Sequence, residues 1–130
     1  MSIKDIVQSA DWKKEKHVPV IECPDTVKKS DAFDVTVSVG KEISHPNTTE
    51  HFIAWIAVYF LAAGEKFAYQ LGRFECAAHG ASAQGPNTST VYTQPSCTLR
   101  VKTEKSGTLL AVSYCNIHGL WESARNINVQ

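Results

Sequence analysis

Between Phe52 and Ala63 the chain runs through twelve residues without a charge. A helix that crosses a bilayer needs about twenty apolar residues, so this run is too short to be a membrane span. Trp55, Tyr59 and Phe60 suit a strand instead. Because the run is apolar at odd and even positions alike, that strand is expected to be covered on both faces, in part by a partner subunit.

Such a strand needs a sheet around it. Phe33, Val35, Val37 and Val39 alternate with Asp34, Thr36 and Ser38, the period of two that marks a half-buried strand. Val91–Thr93, Cys97–Thr103, Leu109–Cys115 and Ile127–Val129 read as further strands. Ala63-Gly64-Glu65, Gly85-Pro86-Asn87, Gln94-Pro95-Ser96 and Lys105-Ser106-Gly107 supply the turns between them. Ile3, Ile6 and Val7 fall at helical spacing and predict one short N-terminal helix over residues 2–9. The expected fold is all-β: an immunoglobulin-like antiparallel β-sandwich of about seven strands with that short helix in front. At 130 residues, with no repeat, linker or low-complexity segment, residues 1–130 are expected to form a single domain.

Thirteen basic and thirteen acidic side chains cancel, which argues against nucleic acid or an anionic membrane surface as the main partner. With 43% hydrophobic and 20% charged residues, the chain has the balance of a folded protein. The start, Met1-Ser2-Ile3-Lys4-Asp5, carries no apolar leader core, and a cytoplasmic location is expected. Four cysteines, at 23, 76, 97 and 115, stand singly, so neither a disulfide framework nor a thiolate-only zinc knuckle is expected. Cys23, Cys76 and Cys97 sit in or beside strand-like segments and read as small buried hydrophobes.

The chemistry collects around histidine. Cys115-Asn116-Ile117-His118-Gly119 follows a clear strand and offers a thiolate and an imidazole together, a pair suited to zinc, copper or iron. His45-Pro46-Asn47-Thr48-Thr49-Glu50-His51 holds two imidazoles around a turn, and Glu15-Lys16-His17-Val18-Pro19 leads into an apolar strand. A sandwich with its loops gathered at one end can bring all three segments together. Five ligands exceed what a structural tetrahedral zinc requires. Blue copper normally takes an axial methionine, and the only methionine is Met1. The set therefore leans toward iron with an open position.

The segments EKHVP (15–19), HPNTTEH (45–51) and CNIHGLW (115–121), with AAHGAS (77–82) and GPNTS (85–89), resemble the signature of superoxide reductases. The likeness runs from about Trp12 to Trp121. The short form, neelaredoxin, is the nearer likeness, because the rubredoxin-like N-terminal domain of desulfoferrodoxins needs cysteine clusters that this chain lacks. The resemblance implies one mononuclear iron, with His17, His45, His51 and His118 as equatorial ligands and Cys115 as the axial thiolate. The sixth position would be open in the ferrous state and taken by Glu15 in the oxidised state, with Lys16 beside it. It also implies a rubredoxin-like electron donor and a homotetramer. Phe52 stands where many relatives carry a second histidine, and Ser44 where proline is frequent. His79 has no ligand role in the family and reads as a hydrogen-bonded structural residue.

The implied reaction reduces superoxide, with one electron and two protons, to hydrogen peroxide. Lys16 is expected to steer the anion inward, an effect that salt weakens, and Glu15 to be dispensable for the first step. Backbone N–H groups at Ile117 or His118 are expected to moderate the thiolate by hydrogen bonding to its sulfur. Trp12, Trp55 and Trp121 read as core or subunit-contact residues. Two other functions share these residues: an electron-transfer protein without a substrate, and an immunoglobulin-like binding module whose metal is structural.

Overall fold

Phe33, Val35, Val37 and Val39 all point inward in the computed structural model, which describes residues 1–130, while Asp34 faces solvent and Thr36 and Ser38 are only half-buried. This strand, β3 (Phe33–Val39), follows β1 (Pro19–Glu22) and β2 (Thr26–Val27) and precedes β4 (Ile53–Ala62), β5 (Tyr69–Glu75), β6 (Ser96–Val101), β7 (Gly107–Cys115) and β8 (Gly119–Val129). Two sheets form, in the orders β1-β3-β6 and β2-β8-β7-β4-β5. Their inner faces meet in one core that includes Val35, Val37, Ile56 and Leu109, all fully buried. Each such side chain contributes about 1.5–3 kcal/mol by leaving water.

The fold is the nearly all-β sandwich the sequence predicts, with differences of detail. Eight strands form, and β2 pairs with β8 in parallel. Val91–Thr93 is no strand: Tyr92 makes only an isolated bridge to His79. β5, which the sequence does not announce, is an edge strand with most of its side chains exposed or half-exposed, so no face carries an apolar period. β8 starts at Gly119 and not near Ile127, because its inward positions are few and its polar ones many. The expected helix over residues 2–9 shrinks to one 3₁₀ turn at Ile3–Asp5. Ile3 and Ile6 are exposed, so no packed apolar face extends that turn. No helix is long and apolar enough to cross a membrane.

Two pairings fix the position of Cys115. β7 alternates so that Leu109, Ala111, Ser113 and Cys115 all lie inward, which carries Cys115 to the end of a core row. Cys115 pairs with Gly119 across the β7–β8 hairpin and with Ile53 at the start of β4. The β4–β7 register shifts between Ile53 and Trp55, and the carbonyl of Ala54 accepts the Cys76 N–H.

Candidate metal centre

Three chain segments converge on Cys115. The hairpin turn brings His118 back so that its backbone N–H donates to Cys115 Sγ at 3.3 Å, with its Nδ1 3.8 Å from the same sulfur. Gly119, at φ +83°, makes the turn sharp enough, in a region side chains disfavour. His17 arrives just ahead of β1, its carbonyl accepting the Ser113 hydroxyl at 3.0 Å. Residues 45–51 end beside β4, where Asn116 accepts the Phe52 N–H at 2.8 Å and donates to the Glu50 carbonyl at 2.9 Å.

The four rings close a cycle. Centroids of neighbours lie 4.8 Å apart for His17–His45, 4.7 Å for His45–His51, 5.0 Å for His51–His118 and 4.7 Å for His118–His17. The His17–His51 diagonal is 6.3 Å. One donor atom each from His17, His45, His51 and Cys115 falls within 4.8 Å of every other, and His118 Nδ1 lies 3.1 Å from His17 Nε2. The structure thus brings together the four histidines and Cys115 of the expected ligand set, while Glu15, the expected sixth ligand, has its carboxylate on the outer nitrogen of His17.

The outer nitrogens fix which atoms face inward. His45 Nδ1 donates to the Pro46 carbonyl at 2.7 Å, and His17 Nδ1 meets Glu15 Oε1 at 2.6 Å, so each ring turns Nε2 to the centre. Nε2 of His45 and of His51 is buried without any hydrogen-bond partner. Orphaned buried nitrogens are costly unless something takes their lone pairs, and a metal cation does so. Burial also drops His45 to a pKa of about 4 and lowers His51, with neighbouring histidines and Lys16 adding repulsion. These imidazoles are neutral at pH 7, the state that ligates. The donor set fits a metal.

Glu15 and Lys16 occupy less direct places. The Glu15 carboxylate is turned to the His17 ring and backbone N–H, and His17 holds its pKa below the usual range. Lys16 lines a shallow cleft that reaches His17 and His118, and its charge is felt at Glu15, His45 and His51.

Trp121 is a site residue that the sequence did not single out. Its indole stacks on His17 and its Nε1–H donates to the His118 carbonyl at 3.2 Å. The signal available was its place two residues beyond Gly119, on the strand that leaves the ligand hairpin. The segments 77–82 and 85–89 also acquire a purpose. Asn87, in the left-handed region at φ +57°, accepts the Thr49 N–H at 2.8 Å and donates to the Glu50 carboxylate. These contacts clamp the loop that carries His45 and His51.

The sequence profile described as Desulfoferrodoxin matches residues 9–124. Neelaredoxin of Megalodesulfovibrio gigas is 55% identical over 127 residues, 98% of each chain. Superoxide reductase of Pyrococcus furiosus is 57% identical over 121 residues, 93% of this chain and 95% of the relative. The structure of superoxide reductase (neelaredoxin) from Archaeoglobus fulgidus in the reduced form superposes with a TM-score of 0.88 at 58% identity, covering 95% of this chain and 98% of that one.

Proposed function

The chain belongs to the desulfoferrodoxin family, and on that premise we propose that it is a superoxide reductase of the short, neelaredoxin-like form, working with one mononuclear iron. The observation that carries this reading is the pair of orphaned Nε2 atoms of His45 and His51 inside a ring of four imidazoles closed by a thiolate. Nε2 of His17, His45 and His51, Nδ1 of His118 and Sγ of Cys115 would hold the iron. When bound, the iron supplies the single electron that superoxide needs, and it is re-reduced by an external donor.

The remaining work falls to the protein. Lys16, on the cleft beside His17 and His118, attracts the anionic substrate and offers its Nζ–H as a hydrogen-bond donor to it. Glu15 accepts the His17 Nδ1–H and so keeps that ring's Nε2 lone pair inward. The His118 N–H on Cys115 Sγ draws charge from the sulfur. Trp121 covers one face of His17 and keeps water from it. Superoxide leaves as hydrogen peroxide after gaining one electron and two protons, the protons coming from water at the cleft. Residues 1–130 act as a single domain, the donor is a rubredoxin-like protein, and the assembly is a cytoplasmic homotetramer.

The test is superoxide consumption by the iron-loaded protein with a rubredoxin as donor. Peroxide should appear one for one with superoxide consumed, and a high-spin ferric resonance should vanish on reduction. Lys16→Ala should slow the reaction at low salt and converge with the unmodified chain at high salt. Zinc bound in preference to iron, or no consumption of superoxide beyond its spontaneous decay, overturns the reading.

A further inference from the structure

Three carbonyls along the first strand accept from side chains and not from backbone. On one edge β1 pairs with β3. On the other, alternate carbonyls point the same way, those of His17, Pro19 and Ile21. Ser113 Oγ donates to the first at 3.0 Å, Ser123 Oγ to the second at 2.6 Å and Arg125 Nη1 to the third at 2.9 Å. Pro19 has no N–H to offer, and β1 and β8 belong to different sheets, so side chains do here what a backbone ladder does elsewhere. Arg125 is itself held by Asp25, with Nη2 2.8 Å from Oδ1.

We infer that Ser113, Ser123 and Arg125 form a side-chain zipper that fixes the register of β1 and thereby aims His17 at the metal. The spacing is regular. Trp121 stacks on His17, Ser123 meets Pro19 and Arg125 meets Ile21, so the segment from His17 to Ile21 tracks the inner row of β8 two residues at a time. The zipper also accounts for the polar character of that row. Ser123 and Arg125 are half-buried and stand opposite Ala111 and Leu109, both fully buried, at positions where a sandwich core ordinarily takes apolar side chains. Ser113, on β7, is fully buried, and its hydroxyl is satisfied by the His17 carbonyl.

His17 stands at the head of this row, two residues before β1 begins. A strand that slips by one residue turns its side chains to the opposite face, which would carry Nε2 of His17 out of the ring of donors. Smaller looseness matters as well, because a metal tolerates only about 0.2 Å of error in ligand distance. Glu15 and Trp121 orient the imidazole itself, whereas the zipper places the backbone from which it hangs. Ser113, Ser123 and Arg125 are thus positioning residues that act through the main chain of His17.

The inference rests on His17 holding a metal, but its first test does not. Hydrogen exchange of the full chain, whatever metal it carries, should be about tenfold faster at the β1 amides in Ser123→Ala. It should be unchanged in Ser123→Thr, which keeps the hydroxyl. Equal β1 exchange in Ser123→Ala and the unmodified chain overturns the zipper. Iron release to a chelator should then be about tenfold faster in Ser113→Ala, the effect of leaving one buried carbonyl unpaired, and the ferric resonance should shift. Thr108→Val is the control. It loses one hydrogen bond, to Asn126 across the same two strands, and should keep both the release rate and the resonance of the unmodified chain. Release from Ser113→Ala at the rate of Thr108→Val overturns the coupling to His17 and leaves the iron reading intact. If Ser113→Ala does not fold, the Ser123 variants carry the same comparison: faster release in alanine but not threonine supports the coupling, and equal release in both overturns it.

Discussion

The indole of Trp121 lies parallel to the imidazole of His17, with ring centroids 5.0 Å apart and planes 13° from parallel. The same indole donates its Nε1–H to the carbonyl of His118, so one side chain braces two ligands from opposite ends of the sequence. Truncation removes a largely buried ring, and Trp121→Ala is expected to cost about 3–5 kcal/mol of stability and to weaken iron binding. Trp121→Phe keeps the stacked face and loses one hydrogen bond, about 1 kcal/mol. Urea midpoints and chelator competition on both variants check this. Equal iron affinity in the alanine variant and the unmodified chain would show that the stack does not hold His17.

Glu15 bears on the same ring from its other edge. Its carboxylate accepts from the His17 ring and backbone N–H with one oxygen, Oε1. Outer partners of ligating histidines typically contribute 10–100-fold in metal affinity, so Glu15→Ala should weaken iron binding by about that factor. Glu15→Gln retains an acceptor and should lose less. The order alanine, glutamine, unmodified in rising affinity is the expected result, and the reverse order of the two variants would assign Glu15 elsewhere.

The alternation of β3 and the Cys115 row of β7 were legible because each buries one periodic set of side chains in this chain's own core, and β4 was legible because its run is apolar throughout, with Ile56, Ala57 and Val58 buried in succession. The three ligand segments were legible because histidine and cysteine are scarce and chemically distinctive. β5 was not, since Tyr69–Glu75 lies at a sheet edge and presents no apolar face to count. β8 was read only at its far end, since between Trp121 and Ile127 its side chains are polar or small and none is buried. Trp121 looked like any core tryptophan. Its stack on His17 joins residues 104 positions apart, which no local pattern encodes.

Cys76 makes a prediction that is independent of the metal. Burial, with Cys97 and Glu75 nearby, pushes its thiol up to about 11. In the unfolded chain a thiol titrates near 8.5, so between roughly pH 8.5 and 11 the folded state binds more protons than the unfolded one. Stability must then fall as pH rises through that window. The urea midpoint should drop from pH 8 to pH 10.5, and by less in Cys76→Ala, where this contribution is gone. An equal drop in both proteins would mean that other groups carry the alkaline loss.

Gly80 tests whether the clamp on the metal-binding loop matters. Its φ is +111°, and a Cβ there would meet Asn87 Oδ1 at 3.0 Å and Thr49 Oγ1 at 3.2 Å. Those two atoms are partners in the contact that holds residues 45–51. Gly80→Ala should therefore cost about 1–3 kcal/mol in backbone strain and crowding, and should also speed iron release by pushing Asn87 off the loop. Gly64 is the control. Its φ is +77° with nothing within 4 Å of a Cβ, and it lies in the turn between β4 and β5, beyond the far end of β4. Gly64→Ala should lose stability through strain alone and release iron at the unmodified rate. Urea midpoints of the iron-loaded proteins and release rates to a chelator separate the two effects. Equal release rates for the Gly80 and Gly64 variants would show that the loop keeps its histidines in place without Asn87.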